Sequence, residues 1–195
     1  MTHLARLLEA TARRHRHLCP RQVLGVRVGL AGAAALGLDA PRTDRRLLVI
    51  VETDGCFADG MEVATGAAVG KRTLRVVDHG KIAATVADLA TGAAVRVRPQ
   101  DGVRERALAY APGERRRYFA QLFGYQQMPD EELLLIEPVR LTPSLAQLLG
   151  RPGVRARCAV CGEDIINGSE VRQGEKVLCR ACAGDRYYQL GIESD

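Results

Sequence analysis

The chain has 195 residues, 28 basic against 23 acidic, a formal net charge of +5 and 47% hydrophobic residues. That length holds one ordinary domain with a real core plus a small appendage, and the composition excludes intrinsic disorder. The basic excess is not a nucleic-acid signature: 25 of the 28 are Arg scattered through an Ala-rich chain, Trp is absent and aromatics are 4%, so base-stacking platforms are scarce.

In chain order, Leu4, Leu7 and Leu8 recur at helical spacing after Thr2, a good cap, and predict a helix to about Arg14. A second helix is predicted to begin at Pro20, because Pro suits the first helical position. Gly25, Gly29 and Gly32 fall on roughly one side of it, as in a tightly packed core helix that another backbone approaches closely. Leu47 to Val51 reads as a buried strand, and a short helix is expected from about Phe57 to Ala64. Thr73 to Val77 and Lys81 to Val86 read as strands joined in a hairpin at Asp78-His79-Gly80, with Ala93 to Arg98 as the third strand of a meander. Helices are predicted over Asp101 to Tyr110 and Gly113 to Gln127, a strand over Leu133 to Arg140, and a short helix over Pro143 to Leu149. Gly150-Arg151-Pro152-Gly153 reads as a linker. The expected fold is α+β, a mostly antiparallel sheet with packed helices over residues 1–150, followed by a small zinc ribbon over 154–195.

Residues 1–19 carry repeated charge and no signal-peptide core, and the longest uncharged apolar stretch, Val28 to Leu38, has eleven residues against the roughly 20 a membrane span needs. A cytoplasmic protein with no membrane contact is expected. In that compartment six cysteines read as metal ligands or reactive thiols rather than disulfides. Cys158, Cys161, Cys179 and Cys182 form two Cys-x2-Cys knuckles around a predicted hairpin at Gln173-Gly174-Glu175. Two such pairs complete the tetrahedron that Zn²⁺ accepts from four thiolates, and an iron–sulfur cluster is the alternative with the same ligands. A closed four-cysteine site leaves no open position, so its role is structural, and the metal supplies the folding energy that so small a module lacks. Six basic and seven acidic residues between Val154 and Asp195 favour protein contact over phosphate binding there.

His15-Arg16-His17-Leu18-Cys19-Pro20 places two imidazoles and a thiol just ahead of a helix, where Cys19 takes the cap position that favours thiolate. Cys56 follows a strand, between Asp54 and Asp59. Brought together, His17, Cys19 and Cys56 would offer three soft or borderline donors with a fourth position open, as in a catalytic or transfer site; buried free cysteines and a solvated His are the plainer alternative.

These residues resemble the FmdE family, named for formylmethanofuran dehydrogenase. The opening and Leu24-Gly25-Val26-Arg27 look like its His-Gly-His-x-Cys-Pro-Gly…Gly-x-Arg start. Cys56-Phe57-Ala58-Asp59 resembles its Cys-x-x-Asp segment, Thr65-Gly66-Ala67-Ala68-Val69-Gly70-Lys71 its Thr-Gly-Cys-Thr-x-Gly-Lys segment, and Asp78-His79-Gly80-Lys81 its Gly-Lys strand. The resemblance implies an α+β core that forms a homodimer and a metal site carried by His17, Cys19 and Cys56, with His15 and Asp59 as neighbours and proton-transfer candidates. Many members also carry a C-terminal ribbon. The family name points to partner subunits of a molybdenum or tungsten enzyme. Arg16 and Arg21 stand where the family motif has Gly, and Ala67 replaces a Cys, removing one ligand or redox partner.

Two readings remain open at the level of sequence. One is a metalloprotein with a redox or metal-dependent core site and a structural Zn²⁺ in the ribbon. The other is a non-catalytic accessory subunit whose ribbon mediates protein–protein contact. A nucleic-acid-binding ribbon ranks last. Gly66 to Lys71 is no P-loop, since the spacing is one residue short and Arg72 follows the Lys. Lys71 and Lys81 read as surface lysines at strand ends, with an anionic ligand near the core site as the alternative.

Overall fold

A computed structural model of the chain describes residues 1–142, 144–149, 153–189 and 191. Contacts divide it into two compact units, Met1–Leu141 and Thr142–Asp195. Three of the four positions of the expected linker, 150–152, lie outside the described residues, and the division falls ahead of the last helix.

In the first unit, α1 (His3–His15) starts at Thr2, whose hydroxyl accepts from the Ala5 N–H. It ends on Arg16 at φ 62°, in the left-handed region. Helix α2 (Pro20–Ala35) has Pro at its first position and is buried along most of its length. Strand β1 (Leu47–Val51) follows, then α3 (Cys56–Thr65), β2 (Leu74–Val76), β3 (Ala84–Asp88) and β4 (Ala94–Pro99). The short helices α4 (Val103–Arg106) and α6 (Asp130–Leu133) flank α5 (Arg117–Gln127), and β5 (Leu134–Val139) closes the unit. The sheet order is β2-β1-β3-β4-β5, and every pairing is antiparallel except β1 with β2.

The expected hairpin between Thr73–Val77 and Lys81–Val86 does not form. Strand β2 runs parallel to one edge of β1, while β3 pairs antiparallel with the other. The Leu-Leu-Val-Ile-Val run of β1 is buried almost throughout, and a strand that apolar takes the interior of the sheet, with a neighbour on both edges. Asp78-His79-Gly80 therefore wraps the end of β1: the N–H groups of His79 and Lys81 both donate to the Glu52 carbonyl, and the Gly80 N–H donates to Asp78 Oδ1 at 2.8 Å. The predicted helix over Asp101–Tyr110 shrinks to α4, followed by i→i−3 bonds through Ala111, and α5 begins only at Arg117, past Pro112-Gly113.

The core lies between this sheet and the helices α2 and α3, which pack directly on each other. Gly25 and Gly60 make the crossing possible. A Cβ on Gly25 would stand 2.2 Å from the Phe57 carbonyl oxygen, and one on Gly60 would stand 2.4 Å from that of Gln22. Further along, Gly29 meets Ala64 and Thr65, so the two helices run in the same direction and start side by side. Arg27, the only charge buried on α2, clamps the far side of the core. Its guanidinium donates to the Tyr125 and Met128 carbonyls at 2.7 Å each and to Asp130 at 2.6 Å, tying the end of α5 and the start of α6 to α2.

In the second unit, α7 (Leu145–Leu149) precedes two antiparallel hairpins, β6 (Arg155–Arg157) with β7 (Asp164–Ile166) and β8 (Val171–Gln173) with β9 (Lys176–Leu178). The second hairpin turns at Gly174, as the spacing predicts. Cys158, Ile165 and Leu178 are its only buried apolar cluster among the described residues, far too little to hold a fold alone. No helix among the described residues is long and apolar enough to cross a membrane.

Candidate functional site

The four ribbon cysteines converge. Cys158 and Cys161 sit in the turn between β6 and β7, Cys179 and Cys182 in the turn after β9. Their Sγ atoms all lie within 4.8 Å of one another, with Cys161 and Cys179 at 3.9 Å. Gly162, at φ 74°, lets the first knuckle turn, and its N–H closes on the Cys158 carbonyl at 3.0 Å. Backbone amides face the sulfurs: Cys179 N–H donates to Cys158 Sγ at 3.3 Å and Cys182 N–H to Cys179 Sγ at 3.4 Å. The amides of Cys161 and Cys179 hold the Cys158 thiol down at about 6. The Cys179 thiol and burial push Cys182 up to about 12. Four sulfurs this close cannot all ionise against one another unless a cation sits among them, so the donor set is that of a metal site.

The first unit assembles a second cluster where α2 and α3 begin. Cys19 caps α2, with its N–H donating to Gln22 Oε1 at 2.9 Å, and Cys56 opens α3. Since the helices start side by side, the two thiols are neighbours. Burial, the Cys19 thiol and Asp59 together push the Cys56 thiol up. His15 Nε2 bonds to Asp59 Oδ2, and Arg14 bonds to Glu62 and lies 3.5 Å from Asp59. His17 Nδ1 lies 2.9 Å from the His15 carbonyl. A carbonyl only accepts, so Nδ1 carries the proton and Nε2 is left as the basic nitrogen of this exposed ring. Tyr118, on α5, donates to the Leu18 carbonyl at 3.4 Å, and burial with the two thiols raises its pKa. Nothing in the sequence singles out Tyr118 for this contact.

The pairwise contacts thus gather His15, His17, Cys19, Cys56 and Asp59 into one region. They do not set three ligand atoms together: among the described residues, only the ribbon cysteines place three or more His, Cys, Asp or Glu donors within 4.8 Å. Two departures from the family motif gain a physical meaning. Arg16 stands at a position whose left-handed backbone favours glycine. Ala67 lies beyond the far end of α3, whose ten residues put it roughly 15 Å along the axis from Cys56. A Cys there would not join Cys56 within the same chain, so the expected loss of a core ligand at Ala67 does not apply to this cluster. Asp54 is exposed and makes no described contact with the cluster.

Comparison with known proteins agrees with this architecture. A probable S-adenosyl-L-methionine-binding protein of Archaeoglobus fulgidus is 28% identical over 96% of this chain, and the chain spans 55% of that relative's length. The crystal structure of an FmdE-like protein of tungsten formylmethanofuran dehydrogenase from Syntrophus aciditrophicus, 21% identical, superimposes with a TM-score of 0.61 over 95% of both chains, which shows a shared fold. Residues 14–135, from the end of α1 into β5, match the model of the family described as FmdE, of the molybdenum formylmethanofuran dehydrogenase operon, and the chain belongs to that family.

Proposed function

We propose that this chain is a cytoplasmic metal-binding accessory protein of the FmdE family in which one Zn²⁺, held by Cys158, Cys161, Cys179 and Cys182, is structural. The observation that carries the reading is the contrast between the clusters: four convergent thiols in the ribbon, and in the core two thiols with no third donor within 4.8 Å of both among the described residues. A Zn–S bond of about 2.3 Å requires sulfurs about 3.8 Å apart in a tetrahedron, and the Cys161–Cys179 separation is 3.9 Å. With all four positions taken by protein, the ion carries the ribbon's fold and performs no reaction. The ribbon then serves contact with a partner protein, by family association a component of a molybdenum or tungsten enzyme, and the core pairs with a second copy of the chain.

A second reading, a metal-dependent or redox core, is favoured by His17. Its Nδ1–H is spent on a carbonyl and its Nε2 left free, the posture in which a ligating histidine is oriented by its other nitrogen. There His17, Cys19 and Cys56 would be the ligands, and His15 or Asp59 would move the proton. Metal counting on the purified full chain separates the two. One zinc per chain, lost in Cys158→Ser and kept in Cys19→Ser, is the expected result. A second ion, lost only in Cys19→Ser or Cys56→Ser, would overturn the accessory reading in favour of a working core.

A further inference from the structure

Beside the thiol cluster, the first unit carries two adjoining clefts of about 300 and 370 Å³ that share Leu24, Ile82, Arg104 and Tyr125. They lie between the start of α2, the segment entering β3, α4 and α5. Pro20 lines one of them, so the cleft borders the residue that follows Cys19. Its floor is apolar, from Leu24, Ile82 and the ring of Tyr125.

The rim is cationic. Arg21 and Arg117 line one cleft, Lys81 the other and Arg104 both. Asp101 and Glu105 also line the second cleft, but each is paired, Glu105 with Arg117 and Asp101 with Arg98 at 3.1 Å. Arg21, Lys81 and Arg104 have no side-chain ion pair among the described residues. Three unpaired cations across two adjoining clefts, with Arg104 common to both, make a field that favours an anion. A second, independent observation is Tyr125. Its side chain is 2% exposed, it lines both clefts, and its hydroxyl has no hydrogen-bond partner among the described residues. The hydroxyl is not a buried orphan, since among the described residues only Arg75 Nε and Glu170 Oε2 are buried without a partner; it meets solvent at the cleft and is free to donate to a ligand there.

We propose that this cleft binds a small molecule through a phosphate or carboxylate group, with Arg21, Lys81 and Arg104 supplying charge and the Tyr125 hydroxyl fixing the oxyanion. The apolar floor covers the remainder of the ligand. This goes beyond the accessory reading above and needs no metal in the core. One cation, Arg21, stands where the family motif has Gly, which makes the rim more positive in this chain. Lys81, otherwise a surface lysine at a strand end, acquires a function by its place on the rim.

The test is calorimetric titration of the zinc-loaded full chain, at two salt concentrations, with inorganic pyrophosphate in one arm and succinate in the other. Whichever anion binds identifies the group recognised. Arg104→Gln, an exposed position, is expected to weaken that binding at least about tenfold. Tyr125→Phe should weaken it roughly three- to tenfold with no loss of thermal stability, because the hydroxyl it removes has no protein partner. Arg116→Gln, outside the cleft, should bind as wild type. Absence of binding in both arms, or binding that survives Arg104→Gln and Tyr125→Phe unchanged, would overturn the proposal. Neither result bears on the zinc count, so the two readings fail separately.

Discussion

Replacing Gly25 by Ala sets two effects against each other in one substitution. In an exposed helix interior the change would stabilise by about 1 kcal/mol, from reduced backbone entropy in the unfolded chain. Here the new Cβ would stand 2.2 Å from the Phe57 carbonyl oxygen and 3.0 Å from the Gly60 Cα. That is more than 1 Å inside the roughly 3.5 Å at which carbon contacts become favourable. Both opposing atoms are backbone, so no side-chain rotation relieves the overlap, and α3 must shift bodily. Overpacking of this kind costs about 3 kcal/mol, the upper end of its usual range, leaving a net loss of about 2 kcal/mol. For the first unit that is a fall in Tm of roughly 4–8 °C. The assay is thermal unfolding followed by circular dichroism at 222 nm, where the helices of this unit dominate. Gly29→Ala, opposed by the Ala64 and Thr65 side chains, should lose less, and Gly113→Ala, with nothing within 4 Å, should stay near wild type. A Gly25→Ala protein as stable as wild type would show that the helices do not touch there, and would remove the physical basis for placing Cys19 beside Cys56.

Two further outcomes concern the loop before Cys19 and the buried carboxylates. Arg16→Gly should raise stability by about 1 kcal/mol by relieving the left-handed backbone at φ 62°; no gain in Tm would mean the strain is not there. The Arg96 guanidinium bonds both oxygens of Glu52, at 2.6 and 2.8 Å, and holds its carboxyl below the usual range; Arg46 does the same to Asp88, at 2.8 Å twice. A depressed folded pKa means the unfolded chain binds more protons as pH falls, so this stability is complete above about pH 4–5 and drains away below it. Glu52→Gln should flatten that acid limb of Tm against pH, and an unchanged slope would refute the pairing.

Much of this was readable locally. Pro20 starts α2 because ring geometry and a missing N–H suit the first turn, and Leu47–Val51 is a strand because β-branched and leucine side chains in an unbroken run need cover on both faces. The ribbon knuckles follow from ligand chemistry at short range. What escaped was long-range choice. Nothing in Thr73–Val77 tells it to pair parallel with β1 rather than fold back on Lys81–Val86, since both edges of β1 were available and the turn residues at 78–80 suit either path. Arg27 is the buried charge of a glycine- and valine-rich helix, but its partners lie some hundred residues on, at Tyr125, Met128 and Asp130. The glycine spacing of α2 announced a close neighbour without naming Gly60. The core cluster was half visible: the residue types were there to see, whereas the orientation of His17 and the distance of Ala67 depend on where helices end.

The glycine crossing separates the position of the core cluster from its chemistry. Because the spacing between the starts of α2 and α3 is set where backbone meets backbone, the side chains mounted there can be exchanged without moving the mount. Thiol can give way to imidazole or carboxylate at positions 19 and 56, and a neighbouring loop can trade Gly for Arg, while the two helix starts keep their separation. A scaffold built this way can change what it binds by single substitutions, since no side chain at the site is needed to hold it open.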